Sequence, residues 1–338
     1  MLVPLLLSAG HEVVGLDSNL FERCTFTSLP HSIPNIAKDI RDVELSDLDG
    51  FDAVLHLAGL SNDPLGDLNP ELTYEINHIA SVHLAKLAKQ AGIRRFLFSS
   101  SCSNYGAAGA DFLTEESAFN PVTPYGVSKV RVEHDVSALA DKTFSPTFLR
   151  NATAFGVSPR LRFDLVLNNL VAWAYATGRV HIKSDGTAWR PLVHIEDISR
   201  AFLAVLEAPL DVVHNQAFNV GRTEDNYQIR DLAEIVENTV PNTTIEYAAG
   251  ASADQRCYRV DCSKISRIIP AFQPQWDAHK GAKELYDAFR TTSIKVDDFE
   301  GERYKRIAHI RKLVMDQLLD SNLRWTKQAV PALEEAQA

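Results

Sequence analysis

The 338-residue chain carries 34 Lys and Arg residues against 44 Asp and Glu residues, which gives a formal net charge of −10. This acidic balance argues against non-specific nucleic-acid binding, and an anionic ligand would need a locally basic pocket. Hydrophobic residues make up 45% and charged residues 23% of the chain, a globular balance that allows a sizeable core.

Membrane, metal and disulfide classes are not indicated by the sequence. No apolar run approaches the ~20 residues of a membrane span. The four cysteines lack the spacing of a zinc site or a disulfide framework. We therefore expect a cytoplasmic protein without a membrane or nucleic-acid partner and without a bound metal.

The first half of the chain alternates helical and strand patterns. The sequence predicts the end of a helix at residues 3–9, strands at 11–17, 35–39 and 51–57, a helix at 71–91, and a strand that begins at 95. The last of these strands would end near Ser101. In an open α/β sheet, ligands bind at the carboxyl ends of the strands, so Ser101 is a candidate site residue.

Tyr125 and Lys129 are four residues apart, so in a helix they share one face. An ammonium beside a phenol favours the phenolate and lowers a pKa that is about 10 when unperturbed. Tyr125 is therefore a candidate general acid and base. A Tyr and a Lys at this spacing, with no other motif nearby, more often lie on a solvated helix face. The upstream stretch SSSCSNYG (99–106) and the stretch NPVTP (120–124) favour the catalytic interpretation.

With these motifs the chain resembles the extended short-chain dehydrogenase/reductases, specifically the NAD-dependent sugar-nucleotide epimerase/dehydratase family. The resemblance runs from Leu2 to about Trp276. It implies an α/β fold, a Rossmann-type doubly wound parallel sheet with a smaller interleaved substrate domain. It also implies that Ser101, Tyr125 and Lys129 form the catalytic triad.

The resemblance implies NAD as the cofactor. Asp17, at the end of a strand, is expected to bind the adenosine ribose and to disfavour a 2′-phosphate; the alternative is an Asp that caps a turn. The full set of cofactor contacts that we expect is Asp17, Asp39, Ile40, Leu57, Ala58, Gly59, Ser61, Ser99, Tyr125 and Lys129. Ser61 stands where some relatives carry a lysine.

The substrate implied by the resemblance is a nucleotide-diphosphate sugar. Arg190, in the stretch DGTAWRPLVHIED (185–197), and Arg256, in DQR (254–256), are expected to bind the diphosphate. Thr153 stands where relatives of the galactose-epimerase type carry an Asn that contacts the sugar. The expected substrate contacts are Ser101, Thr153, Asn169, Arg190 and Arg256.

The expected domains interleave along the chain. An NAD-binding domain covers residues 1–151, and residues 190–222 return to it. The substrate domain takes residues 152–189 and 223–280, and residues 281–338 form a C-terminal helical extension. In that extension a helical apolar stripe, predicted to be a packing face, comprises Ile307, Ile310, Leu313, Val314 and Leu318.

The resemblance also implies a first strand and a GxxGxxG turn ahead of the helix at residues 3–9, and neither is in the sequence. That strand would lie mid-sheet, so we expect the strands at 13–17 and 53–57 to face a gap or each other. The cofactor diphosphate would lack the amide groups of the turn. We therefore expect the chain that starts at Met1 to express poorly and to bind NAD weakly.

The expected reaction passes through a transient 4-keto sugar. Family members that dehydrate the sugar carry an Asp-Glu pair directly after the triad Ser or Thr, and this chain has Cys102 and Ser103 there. A 4-epimerase or related oxidoreductase is therefore favoured, as a homodimer. The alternatives are a nucleotide-sugar 4-ketoreductase or dehydratase, a non-catalytic nucleotide-sensing relative, and an inactive truncated product.

Overall fold

The computed structural model describes residues 1–28, 31–61, 69–107, 111–248 and 257–327. The strands are β1 Gly15–Asp17, β2 Asn35–Ala37, β3 Ala53–His56, β4 Arg95–Ser101, β5 Phe112–Leu113, β6 Ser145–Asn151, β7 Thr153–Phe155, β8 Arg179–Ile182, β9 Trp189–His194, β10 Gln216–Val220, β11 Asn226–Gln228, β12 Thr244–Tyr247 and β13 Arg259–Val260.

The α-helices are α1 Leu2–Ser8, α2 Pro70–Tyr74, α3 Ala80–Gln90, α4 Pro124–Ser137, α5 Val166–Thr177, α6 Ile195–Glu207, α7 Leu210–Val213, α8 Ile229–Thr239, α9 Ser263–Ile268, α10 Ala278–Thr292, α11 Val296–Phe299 and α12 Arg306–Met315. Among the described residues, no helix is both long enough and apolar enough to cross a bilayer. The strands and flanking helices confirm the expected α/β class.

A four-stranded parallel sheet, in the order β10-β6-β4-β3, organises the molecule. Phe98 of β4 lies opposite Phe148 of β6 on one side and His56 of β3 on the other. The apolar residues 96–98 are buried because helices cover both faces of a parallel sheet. The carboxyl ends of β4 and β6 therefore meet at one edge, with Ser101 paired to Asn151.

The first two strands form a separate parallel pair, with Leu16 opposite Ile36. In the described part of the chain β1 pairs only with β2, and β3 pairs only with β4. Both β1 and β2 are shorter than the sequence predicts. Each of these strands therefore has one edge without a partner strand among the described residues.

The helix predicted at residues 71–91 contains a π-helical turn, Glu75–Ile79, between α2 and α3. Asn69 caps its start by accepting a hydrogen bond from the amide of Leu72. The π-turn carries Asn77, which accepts a hydrogen bond from the Leu60 amide at 2.7 Å and donates one to the Leu60 carbonyl at 3.0 Å. Asn77 therefore braces the loop that follows β3.

A second core lies among α5, α8 and α10, where Phe163 stacks on Phe289 and Phe299. The C-terminal helix α12 instead packs on the first sheet through Ile310 and Leu313. The prediction that Val314 belongs to the packing face is wrong, because this residue is 37% exposed. The helix ends at Met315, and the chain then turns back so that Leu318 packs from outside the helix.

Candidate active site

Ser101 ends β4, and a 3-10 turn, Cys102–Tyr105, begins directly after it. The Ser101 Oγ accepts hydrogen bonds from the Ser103 amide at 3.1 Å and from the Ser103 hydroxyl at 2.9 Å. Both contacts use the oxygen as an acceptor. Among the described residues, its hydroxyl hydrogen is thus left to donate to a ligand at the sheet edge.

Tyr125 and Lys129 lie in the first turns of α4, as the sequence predicts. Thr123 caps this helix by accepting a hydrogen bond from the Gly126 amide at 3.2 Å, and Pro124 fills the first helical position. The cap fixes where the helix begins and therefore which face carries the pair. Lys129 Nζ lies 5.7 Å from the centroid of the Tyr125 ring.

Lys129 is buried, with only 6% of its surface exposed. Its Nζ donates a hydrogen bond to the Ser99 carbonyl at 2.7 Å and lies 4.4 Å from the centroid of the Phe98 ring. Burial lowers the pKa of Lys129 to about 8, and the charge of Glu133 acts in the opposite direction. The ammonium therefore keeps most of its charge at neutral pH and is held against the end of β4.

A buried ion pair beneath the sheet edge was missed by the sequence reasoning. Arg150, in β6, donates to Glu133 from NH2 at 2.7 Å and from Nε at 3.1 Å. Glu133 also accepts hydrogen bonds from the Ser100 hydroxyl at 2.5 Å and the Asn104 amide at 3.0 Å. The sequence spacing could have indicated Glu133, because it lies one helical turn beyond Lys129 on the same helix face.

One cavity, of about 250 Å³, lies beside β1, β2 and β3. It is lined by seven of the expected cofactor residues, namely Asp17, Asp39, Ile40, Leu57, Ala58, Gly59 and Ser61. These residues come from three separate stretches of sequence. The fold therefore brings together, in one cavity, most of the contacts expected for the cofactor. Ser99 and Lys129 meet at the adjacent edge of β4.

The two acidic side chains of this cavity already make local contacts. Asp17 accepts a hydrogen bond from the Asn19 amide at 2.7 Å, as an Asp that caps a turn would. Asp39 accepts from Arg41 NH2 at 2.7 Å and caps the turn at residues 40–42. Hydrogen bonds and the charge of Arg41 lower the pKa of Asp39 despite its partial burial.

The backbone at Gly59 leaves room for a ligand to approach the cavity wall closely. Gly59 has a φ of +148°, and a Cβ there would lie 3.0 Å from Asn77 Oδ1. Two basic residues that the sequence reasoning did not select, Arg160 and Arg306, also line the cavity. A chain with a net charge of −10 thus presents cations beside a glycine loop. These residues fit a nucleotide cofactor that carries phosphates.

The expected substrate residues that the structure describes lie on four elements, with Ser101 at the end of β4. Thr153 in β7 pairs with Leu192 in β9, two residues along from Arg190. Arg190 is 7% exposed, and its NH1 donates a hydrogen bond to the Trp189 carbonyl at 2.8 Å. Asn169 in α5 donates to the Phe163 carbonyl at 2.9 Å. Arg256, the other expected diphosphate contact, lies outside the described residues.

His194 and Asp197 anchor the start of α6. His194 caps the helix by accepting from the Glu196 amide, and its ring stacks on Trp276 with a centroid distance of 4.0 Å. Asp197 accepts from the amides of Gln275 and Trp276, both at 3.0 Å. The side chains thus tie this helix to the segment that precedes α10.

The comparisons with known proteins agree on one family. The family described as "NAD dependent epimerase/dehydratase family" matches residues 1–221. A UDP-glucose 4-epimerase of Bacillus subtilis (strain 168) is 26% identical over 328 residues, covering 87% of this chain and 94% of its own length. A UDP-glucose 4-epimerase of Neisseria meningitidis serogroup A is 30% identical over 326 residues, again covering 87% and 94%.

Solved structures share the fold. An NAD-dependent NDP-hexosamine 5,6-dehydratase, TunA, superposes with a TM-score of 0.77 at 22% identity, covering 88% of this chain and 95% of its own. MoeE5 in complex with UDP-glucuronic acid and NAD has a TM-score of 0.74 at 25% identity, covering 86% and 95%.

Proposed function

The chain belongs to the NAD-dependent epimerase/dehydratase family, with the Rossmann-type fold and NAD dependence of that family, and from this premise we propose that it epimerises a nucleotide-diphosphate sugar at C4. The reaction passes through a transient 4-keto sugar. The observation that carries the proposal is the buried Lys129 beside Tyr125, at the strand end that presents Ser101. The UDP-sugar relatives support the substrate class.

Each residue of the triad has one role in this proposal. Tyr125 takes the proton of the C4 hydroxyl and returns it after the keto sugar is reduced on the other face. Lys129 stabilises the phenolate form of Tyr125 that accepts this proton. Ser101 donates its hydroxyl hydrogen to the sugar oxygen. Bound NAD supplies a hydride acceptor and donor next to these groups.

The residues after Ser101 favour epimerisation over dehydration. Burial raises the pKa of the Cys102 thiol, so it remains protonated and is a poor base at neutral pH. The Ser103 hydroxyl is directed at Ser101. Neither side chain supplies the carboxyl group that proton removal and donation would need. A homodimer and the domain boundaries given above remain predictions of the sequence.

The test replaces Tyr125 by Phe, which removes only the hydroxyl. We expect turnover to fall by at least ~100-fold, while NAD binding and thermal unfolding stay unchanged. Conversion of UDP-glucose to UDP-galactose, and of the corresponding glucuronate pair, is followed by proton NMR with added NAD, and NAD binding by calorimetry. Tyr247→Phe is the matched control, because Tyr247 is 52% exposed on β12.

Near-normal turnover by Tyr125→Phe would remove this residue from the acid/base role. Tight NAD binding by the parent chain without conversion of either sugar pair would instead support the alternative of a non-catalytic, nucleotide-sensing relative.

A further inference from the structure

The C-terminal segment after residue 305 lies far beyond the part of the chain that the family matches, yet it forms one wall of the cofactor cavity. Arg306 opens α12, and Leu323 follows that helix; both line the cavity together with Asp17 and Gly59. The sequence alone had suggested only a packing helix here.

Specific contacts hold this wall against the loop that follows β1. His309 Nε2 lies 3.0 Å from the Leu20 carbonyl oxygen. The Trp325 indole donates to the Ser18 carbonyl at 2.6 Å. Arg324 pairs with Asp42, in the turn that follows β2. The wall is therefore joined to the segments that follow β1 and β2, two of the three strand loops that line the cavity.

Three arginines line this cavity; Arg41 is paired with Asp39, whereas Arg160 and Arg306 make other contacts. Arg306 NH1 donates to the Ser61 hydroxyl at 2.9 Å, and its guanidinium lies 4.5 Å from the centroid of the Phe21 ring. Arg160 donates to the Phe21 carbonyl. Among the described residues, the contacts of Arg306 and Arg160 are thus to a hydroxyl and a carbonyl and not to a carboxylate within 4.0 Å. Burial, followed by the charge of Arg162, lowers the pKa of Arg306 to about 10, while the charge of Asp164 acts in the opposite direction.

Partly buried cations that form no ion pair are costly, because each loses hydration and repels the other. An anion with two negative charges would relieve both effects. A planar guanidinium also matches the spacing of phosphate oxygens. The ligand that such a pair of side chains would recognise is thus a diphosphate.

We propose that Arg306 and Arg160 bind the diphosphate of the dinucleotide, which makes the C-terminal segment part of the cofactor site. The inference rests on the proposed function, since it takes NAD as the occupant of this cavity. The inference goes beyond the proposed function because it assigns diphosphate binding to Arg306, which lies outside the region that the family matches.

The experiment measures binding of ADP-ribose and of NAD by calorimetry to Arg306→Gln, Arg306→Lys and Arg160→Gln. A Gln at position 306 can still hydrogen-bond Ser61 but carries no charge, whereas Lys keeps the charge. We expect Arg306→Gln and Arg160→Gln each to bind ADP-ribose roughly 10- to 100-fold more weakly. Arg306→Lys should recover most of that loss.

Arg311→Gln, an exposed position on the same helix, is the matched control and should bind as the parent does. Thermal unfolding shows whether each variant is folded; if Arg306→Gln is not, Arg160→Gln and Arg306→Lys decide the question. Equal affinity of parent, Arg306→Gln and Arg160→Gln would overturn this inference and leave the proposed function intact. A parent chain that binds neither ligand would overturn both.

Discussion

Replacing Lys129 by Met should change how the stability of the protein depends on pH. Lys129 is buried, and its pKa falls from 10.5 to about 8 in the folded chain. Met is an unbranched apolar side chain that fills a similar space without a titratable group. The substitution also leaves the Ser99 carbonyl without its donor, a cost that does not vary with pH.

The magnitude follows from the shift in pKa. Between pH 8 and pH 10.5 the unfolded Lys129 still binds a proton that the folded form has lost, so the free energy of unfolding of the parent rises with pH. A shift of about 2.5 units, from 10.5 to about 8, corresponds to about 3 kcal/mol at 1.36 kcal/mol per unit. In the Met variant this contribution is absent.

The assay is urea unfolding of parent and Lys129→Met at pH 7 and pH 10, followed by circular dichroism. We expect the parent to gain about 2 to 3 kcal/mol relative to the variant between the two pH values. Lys142→Met, at an exposed position, is the matched control and should show no such gain. An identical stability difference at both pH values would refute a depressed pKa for Lys129.

Two further predictions concern the ion pair and the substrate. Glu133→Gln should lower the free energy of unfolding by about 3 to 5 kcal/mol because it leaves Arg150 buried without its carboxylate; urea unfolding that shows a loss under 1 kcal/mol would contradict the pair. Arg190→Ala should raise KM for a UDP-sugar by about 10-fold or more through the loss of a charged contact, with kcat little changed; initial rates with an unaltered KM would remove Arg190 from the diphosphate site.

Helix α4 and the central strands could be predicted because their signals are local. Residues 95–98 form an apolar run, and the structure places them in the middle of the sheet. The spacing of Tyr125 and Lys129 fixes a common face as soon as the segment is helical. Thr123 and Pro124 mark the start of that helix in the sequence itself.

The contacts that the sequence did not reveal are those between distant segments. Arg306 reaches Ser61 across 245 positions, and Trp325 reaches Ser18 across 307. No local pattern encodes such a pairing, because helix periodicity shows that a face is apolar but not what covers it.

The state of Lys129 joins the local and distant parts of the site. Burial alone would drive its ammonium towards the neutral form, and the negative charge of Glu133 opposes that effect. Glu133 is itself held in place by Arg150, which belongs to a different strand. A buried ion pair one helical turn from Lys129 thus helps to keep the ammonium charged at pH 7. In the proposed mechanism this charge is what stabilises the Tyr125 phenolate, so the acid/base residue depends on a carboxylate that the triad motif does not include.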